Sequence, residues 1–430
     1  MQNCNIRIRL KFSLIVISIF LISFQLFAQQ KLLIPMDATS QTDHLKAYGV
    51  AYRHLLHGKE LDWLLNYRGG SFMFDYSTEL ENECKDKGVS YENISGTEAA
   101  QIYAEVQNEK NNMDLERLEK VAKLCVYVPP NALPWDDAVQ VALDYAEIPY
   151  DKVWDEEVLE GKLKDYDWMH LHHEDFTGQY GKFYGMYATA PWYIEEVKTN
   201  EDMAKKLGFA KVSKLKLAVV KKIREFVVSG GFLFGMCSAA TTPDFALAAQ
   251  YTDICDQMFD GDPADPNANE KLDYSECFAF QDFKFIMSPF IYEHTDVDIT
   301  NDEVLMGQYN DYFTLFDFSA KNDPVPTMLT QDHTAMIKGF LGQESGFHER
   351  FLKPGITELA KTDGRDWVRY IHGNLGRGTF TFYGGHDPED YQHFVGAPKT
   401  DLSFHKNSPG YRLILNNVLF PAAKKKKLKT

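Results

Sequence analysis

The sequence has few cysteines, fewer basic than acidic residues, and no long apolar run after residue 28. Its 430 residues include 6 cysteines and no C-x-x-C pair, so a zinc ribbon or thioredoxin-type motif is not supported. Lys and Arg number 45 against 62 Asp and Glu, a formal net charge of −17. We expect no nucleic-acid partner, because phosphate backbones need a basic surface. We also expect no membrane span once the N-terminal segment is removed.

Residues 1–28 have the pattern of a secretory signal peptide. Three basic residues precede an apolar run at 12–27, and Ala28 offers a small residue for cleavage before Gln29. The run is about 16 residues, shorter than the roughly 18–20 of a spanning helix, although a membrane anchor is the alternative. We therefore predict an exported protein, periplasmic or extracellular. Five cysteines remain after cleavage, and an odd number leaves at least one thiol free or paired between chains.

The mature chain alternates short apolar runs with amphipathic stretches. Strand–helix–strand repetition of this kind favours an α/β fold with a mostly parallel sheet and helices on both faces. About 400 residues suffice for one large or two moderate domains. We predict an N-terminal α/β segment, a core, an α+β insertion or lid, and the core's C-terminal strands with a basic tail, at residues 29–120, 121–254, 255–361 and 362–430.

A cysteine follows a predicted buried strand at 232–234, in the tight turn Gly235-Met236-Cys237. A helix N-terminus after such a turn would lower the thiol pKa, and its backbone N–H groups could hold an oxyanion. Cys237 is therefore a candidate nucleophile. The alternative is a small buried hydrophobic residue, which is a common role for cysteine.

A second predicted strand, 379–383, runs into Gly384-Gly385 and then His386-Asp387-Pro388-Glu389. A thiol, an imidazole and a carboxylate at neighbouring strand ends are the parts of an activated nucleophile. The catalytic candidates are thus Cys237 and His386, with Asp387 or Glu389 as the carboxylate.

These two segments resemble the class I glutamine amidotransferase-like fold, whose terminal strand ends in His-Pro-Glu. The resemblance implies Cys237 as nucleophile, His386 as base and Glu389 as the residue that orients it. Ala239 stands where that pattern has glycine, and Asp387 is inserted between histidine and proline, so Asp387 could replace Glu389. The strand also resembles trehalose-utilisation-type domains of the same fold, which often end in Gly-His and lack a working triad.

Nearly the whole mature chain resembles an exported bacterial family often labelled asparagine synthetase B. The similar tracts are residues 64–72, 170–178 and 384–391. A glutamine-hydrolysing asparagine synthetase needs an N-terminal cysteine, where Gln29 is expected here. It also needs a Ser-Gly-Gly-x-Asp-Ser loop, of which 229–234 has only the first half. The residues therefore support that label poorly.

A histidine cluster follows a further predicted strand. His170, His172, His173 and Glu174 could bind zinc or a similar metal, since ligands bind at the carboxyl ends of parallel strands. In a strand His170 and His172 share one face and His173 points the other way. Side chains at His386, Asp387, Asp390 and His393 could join them. The alternative is a set of polar residues that line a cleft or form hydrogen bonds in the core.

Three functions fit these patterns. The first is a cysteine-dependent hydrolase or amidase acting on a small amide or glycan-derived substrate, which requires no cofactor. The second is a non-catalytic protein that binds a small ligand or a metal on the same fold. The third is a metal-dependent enzyme, with a divalent metal in the same cleft. Each has a small molecule as its partner.

Overall fold

The computed structural model describes residues 30–131, 136–330 and 334–422, which form two β-sheets with helices around them. The five-stranded sheet is antiparallel and has the order β4-β1-β3-β2-β5. Its strands are β1 (Lys31–Ile34), β2 (Leu61–Leu65), β3 (Ser71–Asp75), β4 (Glu92–Ile94) and β5 (Asp114–Leu118).

The ten-stranded sheet is mixed. Its order is β11-β10-β13-β14-β15-β9-β8-β6-β7, and β12 also pairs with β14. Its strands are β6 (Leu124–Tyr127), β7 (Asp151–Val153), β8 (Trp168–Leu171), β9 (Phe232–Met236), β10 (Tyr312–Leu315), β11 (Met336–Lys338), β12 (Phe347–His348), β13 (Thr357–Lys361), β14 (Trp367–Leu375) and β15 (Gly378–Tyr383).

The prediction of a mostly parallel sheet is wrong. In the described residues the large sheet has four parallel pairings, which join β7, β6, β8, β9 and β15, and five antiparallel ones. The first five strands of the described chain form a separate antiparallel sheet. Within it a tight turn at Tyr67–Gly69 connects β2 to β3, and a short connection forces antiparallel pairing. Strand β14 then pairs antiparallel with β15, and the strands of the predicted insertion extend the sheet beyond β14 through further antiparallel pairings.

Helices pack on both sheets. Those of the described residues are α1 (His44–Leu56), α2 (Thr78–Lys87), α3 (Gly96–Val106), α4 (Ala138–Ala146), α5 (Asp155–Leu159), α6 (Tyr184–Tyr187), α7 (Pro191–Lys206), α8 (Val212–Val228), α9 (Thr242–Ala248), α10 (Gln257–Asp260), α11 (Thr300–Met306) and α12 (Pro409–Leu419). A short 3-10 turn, Cys237–Ala240, lies between β9 and α9.

Two large apolar cores flank the ten-stranded sheet. Strand β9 shows how the sequence builds them, since Phe232 and Phe234 face the core that contains α1, α4 and α12, while Leu233 faces the core that contains α8 and α9. This two-residue alternation fixes the register, because a slip by one residue would exchange the two faces. The functional strand ends are thereby held at one edge of a well-packed sheet.

The segment 278–285 reads as a strand in the sequence but forms only isolated bridges, at Phe280 and Phe285. The carboxylate of Asp244 explains the difference. It accepts hydrogen bonds from the backbone N–H groups of residues 278, 279 and 280, and these donors are then not available to a neighbouring strand.

Some predictions fall outside the described residues. The signal peptide at 1–28, the expected new N-terminus at Gln29 and the lysine-rich end of the chain are among them. No helix in the described part of the chain is long and apolar enough to cross a membrane. The five cysteines after residue 28 are all buried and none forms a disulfide.

Candidate functional site

The candidate site lies where the carboxyl ends of three parallel strands meet. In the ladder β8–β9–β15, His170 pairs with Phe234 and Met236 pairs with Tyr383. The residues that follow these strands, from His172, Cys237 and Gly384 onward, therefore emerge at the same edge. This is the edge at which open α/β sheets bind ligands.

Cys237 occupies a sharp turn at this edge. Its backbone φ is +49°, a left-handed conformation that is uncommon for a residue other than glycine. The turn is held by a hydrogen bond from Cys237 N–H to Gly385 O at 3.1 Å. The Sγ atom accepts the backbone N–H of Gln343 at 3.3 Å. Burial raises the pKa of the thiol to about 11, despite nearby backbone donors, so the group is protonated at neutral pH.

The loop 342–345 packs tightly against the end of β15. A Cβ atom at Gly384 would come within 2.4 Å of Ser345 O, so only glycine permits this approach. Gly385 has a φ of +95° and donates its N–H to Glu344 O at 2.8 Å. The two glycines thus bring the 342–345 loop beside Cys237 and place His386 after the turn.

The structure does not assemble a Cys-His-carboxylate triad. The two ring nitrogens of His386 are buried and have no hydrogen-bond partner among the described residues, so Cys237 is not bonded to this imidazole. Asp387 accepts hydrogen bonds from Glu389 N–H at 2.8 Å and from the Tyr411 hydroxyl at 2.9 Å. Glu389 pairs instead with His405, whose Nδ1 lies 2.9 Å from its carboxylate. The inserted Asp387 therefore shapes the loop, and neither carboxylate orients His386.

His386 lies among other histidines. Its ring is 4.6 Å from that of His172 and 6.1 Å from that of His173, centroid to centroid, and it stacks on His393 at 4.8 Å with the planes 7° apart. Burial, followed by the charges of the neighbouring imidazoles, lowers the pKa of His386 well below its usual value. The ring is therefore neutral at pH 7.

Two groups of side chains have a spacing that could hold a metal ion. His172, His173 and His386 form one, and Asp137, His170 and His172 form the other, with all ligand atoms of each group within 4.8 Å of one another. Burial lowers the pKa of His172 to about 4 and that of His173 well below the usual range. Neutral imidazole is the form that binds a metal.

Of the four predicted metal ligands, His172 lies in both groups, His173 in the first and His170 in the second, and the fourth, Glu174, lies in neither. Its carboxylate accepts the backbone N–H of His172 at 3.0 Å, and Glu174 lines a small cavity with His173, Trp154 and Lys216. Burial, with the nearby charge of Asp137, raises the pKa of Glu174 to about 8. Strand β8 ends at Leu171, so strand alternation does not apply beyond it, and His173 joins the same group as His172.

Asp137 takes the place predicted for Glu174. It is the N-cap of α4 and accepts the N–H groups of Val139 at 2.7 Å and Gln140 at 3.0 Å. The same Oδ1 atom lies 3.3 Å from His170 Nε2 and 3.8 Å from His172 Nδ1. Burial alone would raise its pKa, but the two histidines and these donors hold the pKa well below its usual range. Asp137 is therefore a fixed negative charge beneath the histidines.

Two carboxylates hold His393 in place. Its Nε2 atom lies 3.2 Å from Asp136 and its Nδ1 atom 2.9 Å from Asp390. Asp136 and Asp137 begin the helix after β6, and an acidic pair just after a buried parallel strand is the signal in the sequence that could have identified them. The prediction that Asp390 and His393 join the histidine cluster is consistent with this geometry.

A third group with metal-like spacing is already neutralised by the protein. Asp253, Cys255 and Asp260 have ligand atoms within 4.8 Å of one another. The Lys211 ammonium lies 2.7 Å from Asp253 and 3.0 Å from Asp260, and so occupies the place of a cation.

A pocket of about 390 Å³ opens beside the strand ends. Cys237, His386 and His393 are in its wall with Tyr292 and Glu293. The pocket therefore reaches Cys237 and the histidine cluster at His386 and His393, whereas His172 is fully buried and His173 lines a different cavity.

Comparisons with known proteins place no family on this chain. No family model matches it, and no curated protein is similar to it. Among solved structures it is similar to two proteins from Salmonella typhimurium, the cytoplasmic protein STM3548 (11% identity, 71% of this chain and 100% of that one) and the cytoplasmic protein STM1381 of strain LT2 (11%, 70% and 99%). The TM-score is 0.33 for both, too low to support an argument about fold or function.

Proposed function

We propose that this protein is a metal-dependent hydrolase whose metal ion is held by His172, His173 and His386. The observation that carries the proposal is the convergence of these three imidazoles, with ligand atoms within 4.8 Å of one another, beside a pocket that His386 lines. A three-histidine set with an open fourth position is typical of catalytic zinc.

The unpaired nitrogens of the cluster support this proposal. Both ring nitrogens of His172 and of His386 are buried without a hydrogen-bond partner among the described residues. Each such group costs about 1–3 kcal/mol when nothing replaces its lost hydration. A metal ion would supply the missing partner, and small side-chain rotations would bring the nitrogens to the roughly 2.0–2.1 Å that zinc requires.

The carboxylates around the histidine cluster also fit a metal site. Ligating histidines usually present their second nitrogen to a carboxylate, which fixes the ring, and Asp137 lies 3.8 Å from His172 Nδ1. When bound, the metal would polarise a substrate carbonyl and activate water. His393, held between Asp136 and Asp390 at the pocket wall, is positioned to keep or release a proton there.

The cysteine-dependent hydrolase is the second candidate. The left-handed φ of Cys237 and the backbone N–H aimed at its Sγ atom favour it, because reactive nucleophiles are often held in strained turns. The absence of a hydrogen-bonded imidazole and the raised pKa of the thiol count against it. Export of the protein after cleavage at residue 28 is part of the proposal, and N-terminal sequencing of the protein secreted by its host tests it.

Metal binding tests the proposal directly. The untagged protein, stripped with a chelator and dialysed, is titrated with Co²⁺ and followed by its visible absorption. We expect one equivalent to give a tetrahedral spectrum that Zn²⁺ displaces. His386→Ala should abolish the spectrum. The control is His57→Ala, at an exposed histidine that follows the last residue of α1, and this variant should retain the spectrum. Either a wild-type protein without a stoichiometric cobalt spectrum or an unchanged His386→Ala titration would overturn the proposal.

A further inference from the structure

Carboxyl groups that the proposed metal does not use lie at and near the pocket. Glu293 lines the pocket with Tyr292 and Cys237, whereas Asp298 and Glu344 are outside its lining. The charges of these three carboxyl groups act on one another. We call Glu293, Asp298 and Glu344 the carboxyl wall, as distinct from the histidines at His386 and His393.

Glu344 is the most unusual member of the carboxyl wall. Its side chain is 0% exposed, and neither carboxylate oxygen has a hydrogen-bond partner among the described residues. The nearby Thr241 hydroxyl donates instead to Ser238 O at 3.3 Å. Burial and then the charge of Asp298 raise the pKa of Glu344 well above its usual value. Glu344 does not line the pocket, and its raised pKa keeps it protonated at neutral pH, so Glu293 is the carboxyl group that the pocket presents to a ligand.

The protein itself supplies little positive charge to this wall. In the described part of the chain no lysine or arginine is among the residues that line the pocket. Lys182 is the nearby cation, and its ammonium donates to the backbone carbonyls of Ile286 at 2.7 Å and Glu293 at 2.9 Å. With the carboxyl group of Glu293 in its wall and no basic side chain among its lining residues, the pocket favours a cationic ligand over an anionic one.

The shape of the wall favours an organic cation over a metal ion. The three carboxyl groups are absent from the sets of side chains whose ligand atoms lie within 4.8 Å of one another in the described residues. Aromatic rings line the same pocket, with Phe183 5.7 Å from Tyr292 and 6.1 Å from Tyr187 between centroids. Ring faces attract an ammonium group by cation–π interaction, and apolar side chains such as Met186 and Phe394 would cover an apolar body.

We propose that the pocket binds a small ligand with an ammonium group, which lies against Glu293, and an apolar or aromatic body, which packs on Phe183 and Tyr187. This rests on the proposed function only for the identity of the substrate, which would be an amine-bearing ester or amide. The ammonium subsite is itself a property of the carboxyl wall and does not require the metal.

A matched ligand series tests the subsite. 3-Phenylpropylamine, 3-phenylpropanol and 3-phenylpropionate share one body and carry a positive, a neutral and a negative head. Binding is measured by calorimetry at neutral pH on the full chain with a chelator present, so that the amine does not bind a metal. We expect the amine to bind at least tenfold more tightly than the alcohol, and the carboxylate to bind more weakly than both.

Two variants locate the effect. Glu293→Gln should abolish the preference for the amine while leaving affinity for the alcohol within about twofold, because only the charge is removed. Glu105→Gln, an exposed position on α3, should behave as wild type. Equal affinity for amine and alcohol, or a preference that survives Glu293→Gln in a variant with an unchanged melting temperature, would overturn the inference. Since the chelator removes metal from every arm, failure of the cobalt titration and failure of this series are distinct results.

Discussion

At the scale of single residues, the site depends on which group each imidazole faces. Neither nitrogen of His386 has a hydrogen-bond partner in the part of the chain that the structure describes, and the ring packs against other imidazoles. The thiol of Cys237 meets backbone N–H groups instead, including that of Gln343. The two side chains line one pocket but belong to different electrostatic environments, so their functions should be separable by substitution.

Asp137 should position the metal ligands without being needed for folding. Asp137→Asn keeps an N-cap, since asparagine caps a helix as well as aspartate, but it removes the charge 3.3 Å from His170 and 3.8 Å from His172. We expect cobalt affinity to fall about 10–100-fold, with the melting temperature of the metal-free protein nearly unchanged. Asp144→Asn, at an exposed acid on the same helix, is the matched control. A cobalt affinity equal to that of the wild type would show that Asp137 does not position the metal ligands.

Cys237 should react slowly with thiol reagents. With a pKa of about 11, its thiolate fraction at pH 7.5 is about 300-fold below that of a free cysteine. Its labelling by iodoacetamide, followed by peptide mass spectrometry, should therefore rise steeply with pH and become fast in urea. His386→Ala should leave the rate within about twofold, because no hydrogen bond joins the two groups. A clear slowing in that variant would instead show a working thiol–imidazole pair.

At the scale of elements, the end of β15 and the 342–345 loop form one packed unit. Gly384→Ala would place a methyl group where Ser345 O lies, at 2.4 Å. We expect a loss of about 1–3 kcal/mol in the free energy of unfolding, measured with urea. Gly58→Ala is a useful comparison, because that site has open space and a φ of +71° and so tests backbone strain alone. A smaller loss at Gly384 than at Gly58 would contradict the packing argument.

Strand positions could be predicted from the sequence more reliably than strand directions. Apolar runs and their two-residue alternation identified β6, β8, β9 and β15, and the pair of glycines before His386 identified the strand end. The direction of each strand depends on the path of the chain through the long segment between β9 and β15, and no local sequence pattern specifies that path. The segment 278–285 shows the same limit, since a single buried carboxylate, Asp244, takes the donors of an apolar run that would otherwise pair as a strand.

The candidate site was predictable where its residues follow strands. The five histidines of the cluster, His170, His172, His173, His386 and His393, could be named from the sequence, whereas Asp137 reaches the cluster from a helix N-terminus. The role of Glu174 differs from the prediction because strand β8 ends before it. The carboxyl wall comes from loops remote in sequence, so its acidic character is visible only after the chain has folded.

At the scale of the whole molecule, neutral buried histidines make stability depend on pH. His372 is 2% exposed, its Nδ1 atom lies 3.0 Å from Thr381 Oγ1, and burial lowers its pKa to about 4. The unfolded chain binds a proton at a pKa near 6.5, so it gains protons before the folded protein does as the pH falls. The contribution of His372 is therefore fully present above pH 6.5 and is lost progressively down to about pH 4.

His372→Gln should reduce the loss of stability that the protein shows as the pH falls. A shift of about 2.5 pKa units corresponds to about 3 kcal/mol, so between pH 7 and pH 4 the wild type should lose about 3 kcal/mol more stability than the variant. Urea unfolding at intervals across that range measures the difference, with the dependence on urea concentration checked to be the same in both proteins. Buried acids such as Glu174, whose pKa is raised to about 8, act in the opposite direction and are present in both, so they cancel. Parallel pH profiles for the two proteins would show that His372 is protonated equally in the folded and unfolded states, and would contradict the buried, neutral ring.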